Sequence, residues 1–503
     1  MSEHKGPRYG LLGLGALGLV VMLGAFIAPQ AEAESIAPDS TTLKDTVQAL
    51  PDNNLQSLKE LDGKPPARRA LNIQTWKTAE GAKVMFVEAR ELPMFNLRLT
   101  YAAGSSQDRG TPGIAVLTNA MLNEGVAGKN VGAIAEGFEG LGADFSNGAY
   151  RDMAVTSLRS LSAVDKREPA LKLFSQVVGK PTFPADSLAR IKNQLLAGFE
   201  YQKQNPGKLA GNELFKRLYG DHPYAHPSEG TAKSISPISI AQLKAFHAKA
   251  YAAGNAVIAL VGDLSRSEAE AIAAQVSSAL PKGPALPKIE QPVDPKAGET
   301  HIEFASKQTH LMLAQLGIER NDPDFVALTL GNSVLGGGGF GSRLMTEVRE
   351  KRGLTYGVSS GFTPMQVPGP FMITLQTRAE LSENTLKLVQ DIVRDFLITG
   401  PTQKELDDAK RELSGSFPLS TASNADIVGQ LGAIGFYDLP LTYLEDFMQQ
   451  AQNVTVEQVK AAMNKHLSAD KMVIVTAGPT VPQKPLPPPT DKPTQQPLGV
   501  PEH

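Results

Sequence analysis

The chain has 503 residues, 41 % of them hydrophobic and 20 % charged. It is too long for one ordinary domain of ~100–200 residues and too apolar for a mainly disordered chain. Forty-nine basic residues against 52 acidic ones leave a net charge of −3, which offers nucleic acid no general attraction. Cysteine is absent, which excludes disulfides, thiolate metal sites and a cysteine nucleophile.

Residues 1–33 read as an export signal. Lys5 and Arg8 precede an uncharged, mostly apolar run from Gly10 to Ala28, and Ala31-Glu32-Ala33 supplies a small-x-small cleavage site. The run is also just long enough to span a bilayer. A cleaved signal and a retained inner-membrane anchor both fit, and either places the bulk of the chain in the periplasm. A cysteine-free chain suits that oxidising compartment. Residues 34–70 form a polar leader with one short helix candidate over 54–61, stopped by Pro65-Pro66.

A first half over 71–281 opens with strand patterns at 72–78 and 83–89, turned at Gly81, then 97–102. Helical periodicity follows over 111–124 and 131–141, a strand over 154–158, and further helix. Residues 282–298 are a charged, Pro-rich linker. The second half, 299–479, has strand patterns at 310–316, 356–361 and 371–377, and helices at 325–335, 343–352 and on to its end. Residues 480–503 complete a proline-rich tail from Pro479, expected to be extended and unpacked.

The two halves are related. Residues 242–262 (QLKAFHAKAYAAGNAVIALVG) align without a gap on 458–478 (QVKAAMNKHLSADKMVIVTAG), an offset of 216. Upstream, 188–199 (LARIKNQLLAGF) matches 406–417 (LDDAKRELSGSF) at 218. Two blocks in the same order mean duplicated domains, because the period is far too long for a solenoid. Strands and helices come in mixed runs, which predicts an α+β fold with mainly antiparallel sheets packed by helices.

Two motifs carry chemistry. The first, Gly113-Ile-Ala-Val-Leu-Thr-Asn-Ala-Met121 followed by Gly125, has the frame of an inverted zinc motif. It resembles that of the pitrilysin/insulinase (M16) zinc peptidases, in which two histidines one helical turn apart hold zinc and a glutamate between them is the general base. The ligand positions fall on Val116 and Ala120 and the base position on Asn119, none able to do that chemistry. The family's third ligand, a helical glutamate, should land near Ala197-Gly198; Glu200 is two residues off and on another helix face. No metal site is expected in this chain. His222 and His226 lie four apart in DHPYAHP, but Pro223 and Pro227 forbid the helix that would align them, so a structural turn is the better reading. His247, His301, His310 and His466 look isolated, as packed or surface residues are.

The second motif is Leu335-Gly-Gly-Gly-Gly-Phe-Gly-Ser-Arg-Leu344, then MTEVREKRGLTYGVSS. Four glycines permit close backbone approach, but no GK[ST] follows to make a phosphate loop. Ser342 can cap a helix through Arg352, with Gly353 as its terminator. The stretch closely resembles the signature in the second domain of the same family. There, an arginine and a tyrosine seven residues apart reach substrate; they match Arg349 and Tyr356, both able to donate to an oxyanion. On residue types alone an ordinary helix arginine and strand aromatic would be the better reading; the surrounding signature reverses it.

The resemblance covers about 71–479. It implies two similar domains forming half of a peptidase chamber, as in the heterodimeric short-chain branch, where one subunit binds zinc and the other supplies Arg/Tyr. This sequence has the second pattern. A zinc-bearing homologous partner, unstructured peptides as substrates, no cofactor in this chain, and no activity alone are the expectations. An inert scaffold or peptide-binding protein of the same fold is the alternative.

Overall fold

Residues 71–490 are described in a computed structural model. The expected export signal, the leader with its helix candidate, and residues 491–503 lie outside the described residues. β1 (Gln74–Lys77) and β2 (Lys83–Glu88) form the hairpin expected about Gly81, whose φ of +94° suits only glycine well. β3 (Met94–Tyr101) follows, with Phe95, Leu97, Leu99 and Tyr101 buried at period two. A small ribbon of β4 (Gly125–Val126) and β5 (Lys129–Asn130) precedes β6 (Asp144–Ala149), β7 (Ala154–Leu161) and β8 (Ala256–Gly262). The second half contributes β9 (Gly298–Glu303), β10 (Gln308–Leu316), β11 (Val358–Phe362), β12 (Pro370–Arg378) and β13 (Val473–Gly478).

The sheet orders carry the duplication. The first sheet runs β1-β2-β8-β3-β7-β6 and the second, read from its far edge, β9-β13-β10-β12-β11. In each, the strand of the sequence repeat is internal, parallel to one neighbour (β8 to β2, β13 to β9) and antiparallel to the other. Every other neighbouring pair in the two sheets is antiparallel. The fold is α+β, as the sequence predicts.

β6 and β9 carry no strand signal in the sequence. DFSNGA and GETHIE are short and polar, because edge strands keep one face in water; pairing to β7 and β13 makes them strands. Gly298 therefore begins β9 and is not the end of the linker. The helix expected over 111–124 is shorter, Ile114–Ala120, followed by a 3₁₀ turn at Leu122–Glu124.

The halves exchange helices. Pro206–Tyr219, capped by Asn205, packs on β10 and β13 of the second half; Asn424–Phe436, capped by Ser423, packs on β2, β3 and β8 of the first. The exchange covers the second faces of β8 and β13, which explains why both are buried along their whole length. A shared apolar cluster joins Leu214, Leu218 and Tyr224 to Ala314, Val367 and Val475. At its edge Asp152 is buried, accepting from the Tyr224 hydroxyl, from the Gln366 amide at 2.8 Å and from Tyr437 Oη at 3.5 Å. Burial pushes its carboxyl up, against the pull of the Tyr224 hydroxyl.

The tail differs from expectation. Residues 479–490 have no regular secondary structure, yet they are docked: Lys484 N donates to Glu380 O at 2.7 Å, and Leu486 packs against the second core.

Candidate functional site

The first motif folds as the helix Ile114–Ala120. Gly113 precedes it at φ +96°, where a Cβ would lie 2.7 Å from Glu229 O. Both oxygens of buried Asp108 accept from its first turn, from Gly113 N at 2.7 Å and Ala115 N at 2.9 Å. Burial pushes the Asp108 carboxyl up to about 7, with the two amide bonds pulling the other way. Ile114, Leu117 and Met121 anchor the helix in an apolar cluster with Phe183, Ile191 and Leu243. Val116 and Ala120 stay on its half-buried face.

Asn119 faces inward and is buried. Its Nδ2 donates to Tyr251 Oη at 3.1 Å and to Val155 O at 3.3 Å, while its backbone carbonyl accepts from Asn147 at 2.6 Å. The base position has become a packing amide. The helix that would bring a third ligand, Ala185–Gln202, instead presents Arg190 to the carboxylate of Glu124 at 2.5 Å, and Glu200 pairs on the surface with Lys203. Zinc needs imidazole, carboxylate or thiolate donors; Val116 and Ala120 have none, and the Asn119 amide is committed. The residues do not fit the metal.

His222 and His247 are engaged with backbone groups. His222 accepts from Tyr224 N through Nδ1 and places Nε2 2.8 Å from Glu290 O; burial lowers its pKa. His247 is buried against Val178 O. His466 is not isolated: with Asp322 and Asp324 it gathers ligand-type atoms within 4.8 Å. Lys465 Nζ already sits 2.6 Å from Asp324 Oδ2, however, and the cluster ties the 322–324 turn to the end of helix Val456–His466.

The second motif departs from a simple capped helix. Helix Phe325–Asn332 runs on into a π turn, Ser333–Gly337, and the segment after the glycines, Met345–Glu350, is again π-helical. Gly336 is required by close approach, since a Cβ would lie 2.5 Å from Ser360 Oγ and 2.7 Å from Leu344 Cδ1. Ser342 is buried and caps the segment as expected: its Oγ accepts from Met345 N at 3.5 Å and its backbone O from Thr346 N at 3.0 Å, while the hydroxyl donates to Gly339 O at 2.8 Å. Gly353 does terminate the segment at φ +59°, with Gly353 N bonded to Arg349 O and Leu354 N to Val348 O. The wider turn is one way a chain re-aims a side chain at a functional position.

Arg349 and Tyr356 come together. The Arg349 guanidinium carbon lies 5.0 Å from the centroid of the Tyr356 ring and 4.6 Å from that of Phe340. Tyr356 is 77 % exposed and Phe340 62 %, so a half-buried cation lies against two rings that stand open to solvent. Tyr356 precedes its strand, since β11 begins at Val358. No hydrogen bond or ring contact among the described residues joins this group to Val116, Asn119 or Ala120. Phe340 was missed in the sequence, although an aromatic inside a glycine run is an unusual signal. The neighbouring Arg343 is structural: it grips Glu405 with two 2.8 Å bonds and donates to Gly400 O.

Residues 237–413 match the family described as the peptidase M16 inactive domain. A crystal structure of a peptidase M16 inactive domain from Pseudomonas fluorescens is 80 % identical and superposes with a TM-score of 0.81, covering 83 % of this chain and 100 % of that one. A Helicobacter pylori protein described as a non-peptidase homolog is 28 % identical over 76 % of this chain and 88 % of its own length. An uncharacterized zinc protease of Mycobacterium tuberculosis is 26 % identical over 63 % of this chain and 73 % of that one. With its duplicated α+β halves, its glycine-rich Arg/Tyr segment and a zinc motif that has lost its ligands, the chain belongs to the M16 peptidase family.

Proposed function

We propose that this chain is the non-zinc-binding subunit of an exported, two-subunit M16 metallopeptidase acting on unstructured peptides. The observation that carries the reading is the Phe340–Arg349–Tyr356 stack, with both rings exposed, in a chain whose motif helix spends its base position on packing. Arg349 offers a fixed cation and Tyr356 a hydroxyl donor, the two groups that steady a peptide carbonyl as negative charge develops on it. Zinc and the general base belong to a homologous partner. The apolar run of residues 10–28 and the Ala31-Glu32-Ala33 site support a periplasmic pair, with this chain cleaved to start at Glu34 or held at the inner membrane.

Co-purification with a chain bearing an intact H-x-x-E-H, followed by peptide hydrolysis by each subunit alone and by the mixture, tests this. Activity only in the mixture supports it; full activity of the zinc-bearing chain alone overturns it. Mass spectrometry of the native protein decides between a Glu34 terminus and an intact leader. The second reading, a catalytically inert scaffold or peptide-binding protein of the same fold, draws on the description of the H. pylori relative as a non-peptidase homolog.

A further inference from the structure

The C-terminal segment completes two helix ends that the rest of the chain leaves unfinished. Helix Ser382–Thr399 starts without a side-chain cap of its own. Gln483, from the tail, accepts from Glu383 N through Oε1 at 3.1 Å and donates through Nε2 to Ala379 O at 3.0 Å. Lys484 adds main-chain bonds, its N to Glu380 O at 2.7 Å and its O to Asn384 Nδ2 at 2.8 Å. The segment is pinned at its start, where Thr480 N and Oγ1 donate to Glu303. It then crosses Leu486, packed on the core, and three prolines, Pro487 to Pro489.

Its far end reaches the segment that carries Arg349. Thr490 N donates to Lys351 O at 2.9 Å, and Thr490 Oγ1 lies 3.3 Å from the same oxygen. Lys351 O is among the last carbonyls of the π-helical segment, which lack partners of their own at a helix end. Lys351 lies two residues after Arg349 and five before Tyr356. Three prolines in a row favour extended polyproline geometry and lose little entropy on docking, so the segment behaves as a stiff brace.

We propose that residues 480–490 are a positioning strap for the Arg349–Tyr356 turn: docked, they hold the turn in its substrate-facing geometry, and released, they let it loosen. The catalytic consequence rests on the subunit reading above; the mechanical one does not. Thr490 and Gln483 act through the turn, so they are positioning residues.

The test uses the full chain with Thr490→Pro, which removes the N–H donor, beside Thr490→Ala, which keeps it. A second pair is Gln483→Ala and the conservative Gln483→Glu, which retains an acceptor at the helix N-terminus. Amide exchange is read at Gly353 and Leu354, with β10 as internal reference. Thr490→Pro should speed exchange at those two amides by about three- to tenfold, the effect of losing one hydrogen bond. Thr490→Ala and the β10 amides should stay near wild type. A chain ending at Gly478 should show the same change or a larger one. With a zinc-bearing partner, Thr490→Pro should lower kcat by a similar factor and leave KM unchanged, and Gln483→Glu, which keeps the acceptor for Glu383 N but not the donor to Ala379 O, should recover part of what Gln483→Ala loses. Unchanged exchange in both Thr490→Pro and the shortened chain overturns the strap, whatever the activity. Faster exchange with undiminished kcat, in a pair where Arg349→Ala is impaired, overturns its catalytic role. If Arg349→Ala itself leaves hydrolysis intact, the subunit reading fails, and exchange alone still decides whether the strap holds the turn.

Discussion

Asn119 Nδ2 donates to Tyr251 Oη across 3.1 Å, joining the motif helix to the end of helix Ile240–Ala250. An active M16 enzyme needs an ionised glutamate at this position, free to take a proton from water. Here the position is buried and its Nδ2 is engaged, so the absence of a base and the presence of a packing contact coincide in one side chain.

Asn119→Glu should therefore destabilise the fold. The carboxylate cannot donate to Val155 O, and although the Tyr251 hydroxyl could turn to donate to it, its charge would be buried without a countercharge. A loss of about 2–4 kcal/mol is expected in urea unfolding. An unchanged midpoint would mean the helix is looser than its hydrogen bonds imply.

Purified, untagged protein should hold no stoichiometric zinc, because Val116, Asn119 and Ala120 offer no zinc ligand. Elemental analysis checks this. About one zinc per chain would direct attention to Asp322, Asp324 and His466, where three ligand-type atoms already converge.

Arg349→Ala or Tyr356→Phe, assayed with the zinc-bearing partner, should lower kcat by roughly ten- to a thousandfold, as loss of an oxyanion donor does. Melting temperature should hardly move, since Tyr356 is 77 % exposed and its hydroxyl supports no packing. Wild-type rates from both variants, still bound to the partner, would favour the scaffold.

The Arg343–Glu405 tie gives a pH signature. Its hydrogen bonds to Arg343 hold the Glu405 carboxyl at about 2, below the ordinary 4.5. A group whose folded pKa is depressed adds stability above its unfolded value and loses it as pH falls through the folded one. Stability should drop between about pH 4.5 and pH 2. Arg343→Met should cost about 1–3 kcal/mol at neutral pH and flatten that acid slope, measured by urea titrations across the range.

Gly336→Ala should destabilise by about 1–3 kcal/mol, because its Cβ would press on Ser360 and Leu344, both held by the core. Gly341→Ala, with nothing within 4 Å of the added atom, is the matched control. Equal melting temperatures would show that the loop can shift.

Much of this protein was legible in its residue order. Periodicity gave β2, β3, β8 and β13, since internal strands must be apolar whatever surrounds them. The offset between 242–262 and 458–478 declared the duplication, and Val116 and Ala120 declared the lost ligands, because a side chain without a lone pair cannot bind metal in any fold. The tertiary structure decided what depends on partners distant in sequence. Edge strands β6 and β9 exist through pairing, so their own residues carry no signal. The exchange of helices Pro206–Tyr219 and Asn424–Phe436 is invisible locally, since an amphipathic helix does not specify which sheet it covers. Arg343 and Arg349 look alike in the motif; only the fold gives one Glu405 and the other two exposed rings. Residues 479–490 of the proline-rich tail are docked for the same reason: their composition resists helix and sheet, but the uncapped helix and the carbonyl of Lys351 give their polar groups somewhere to bind.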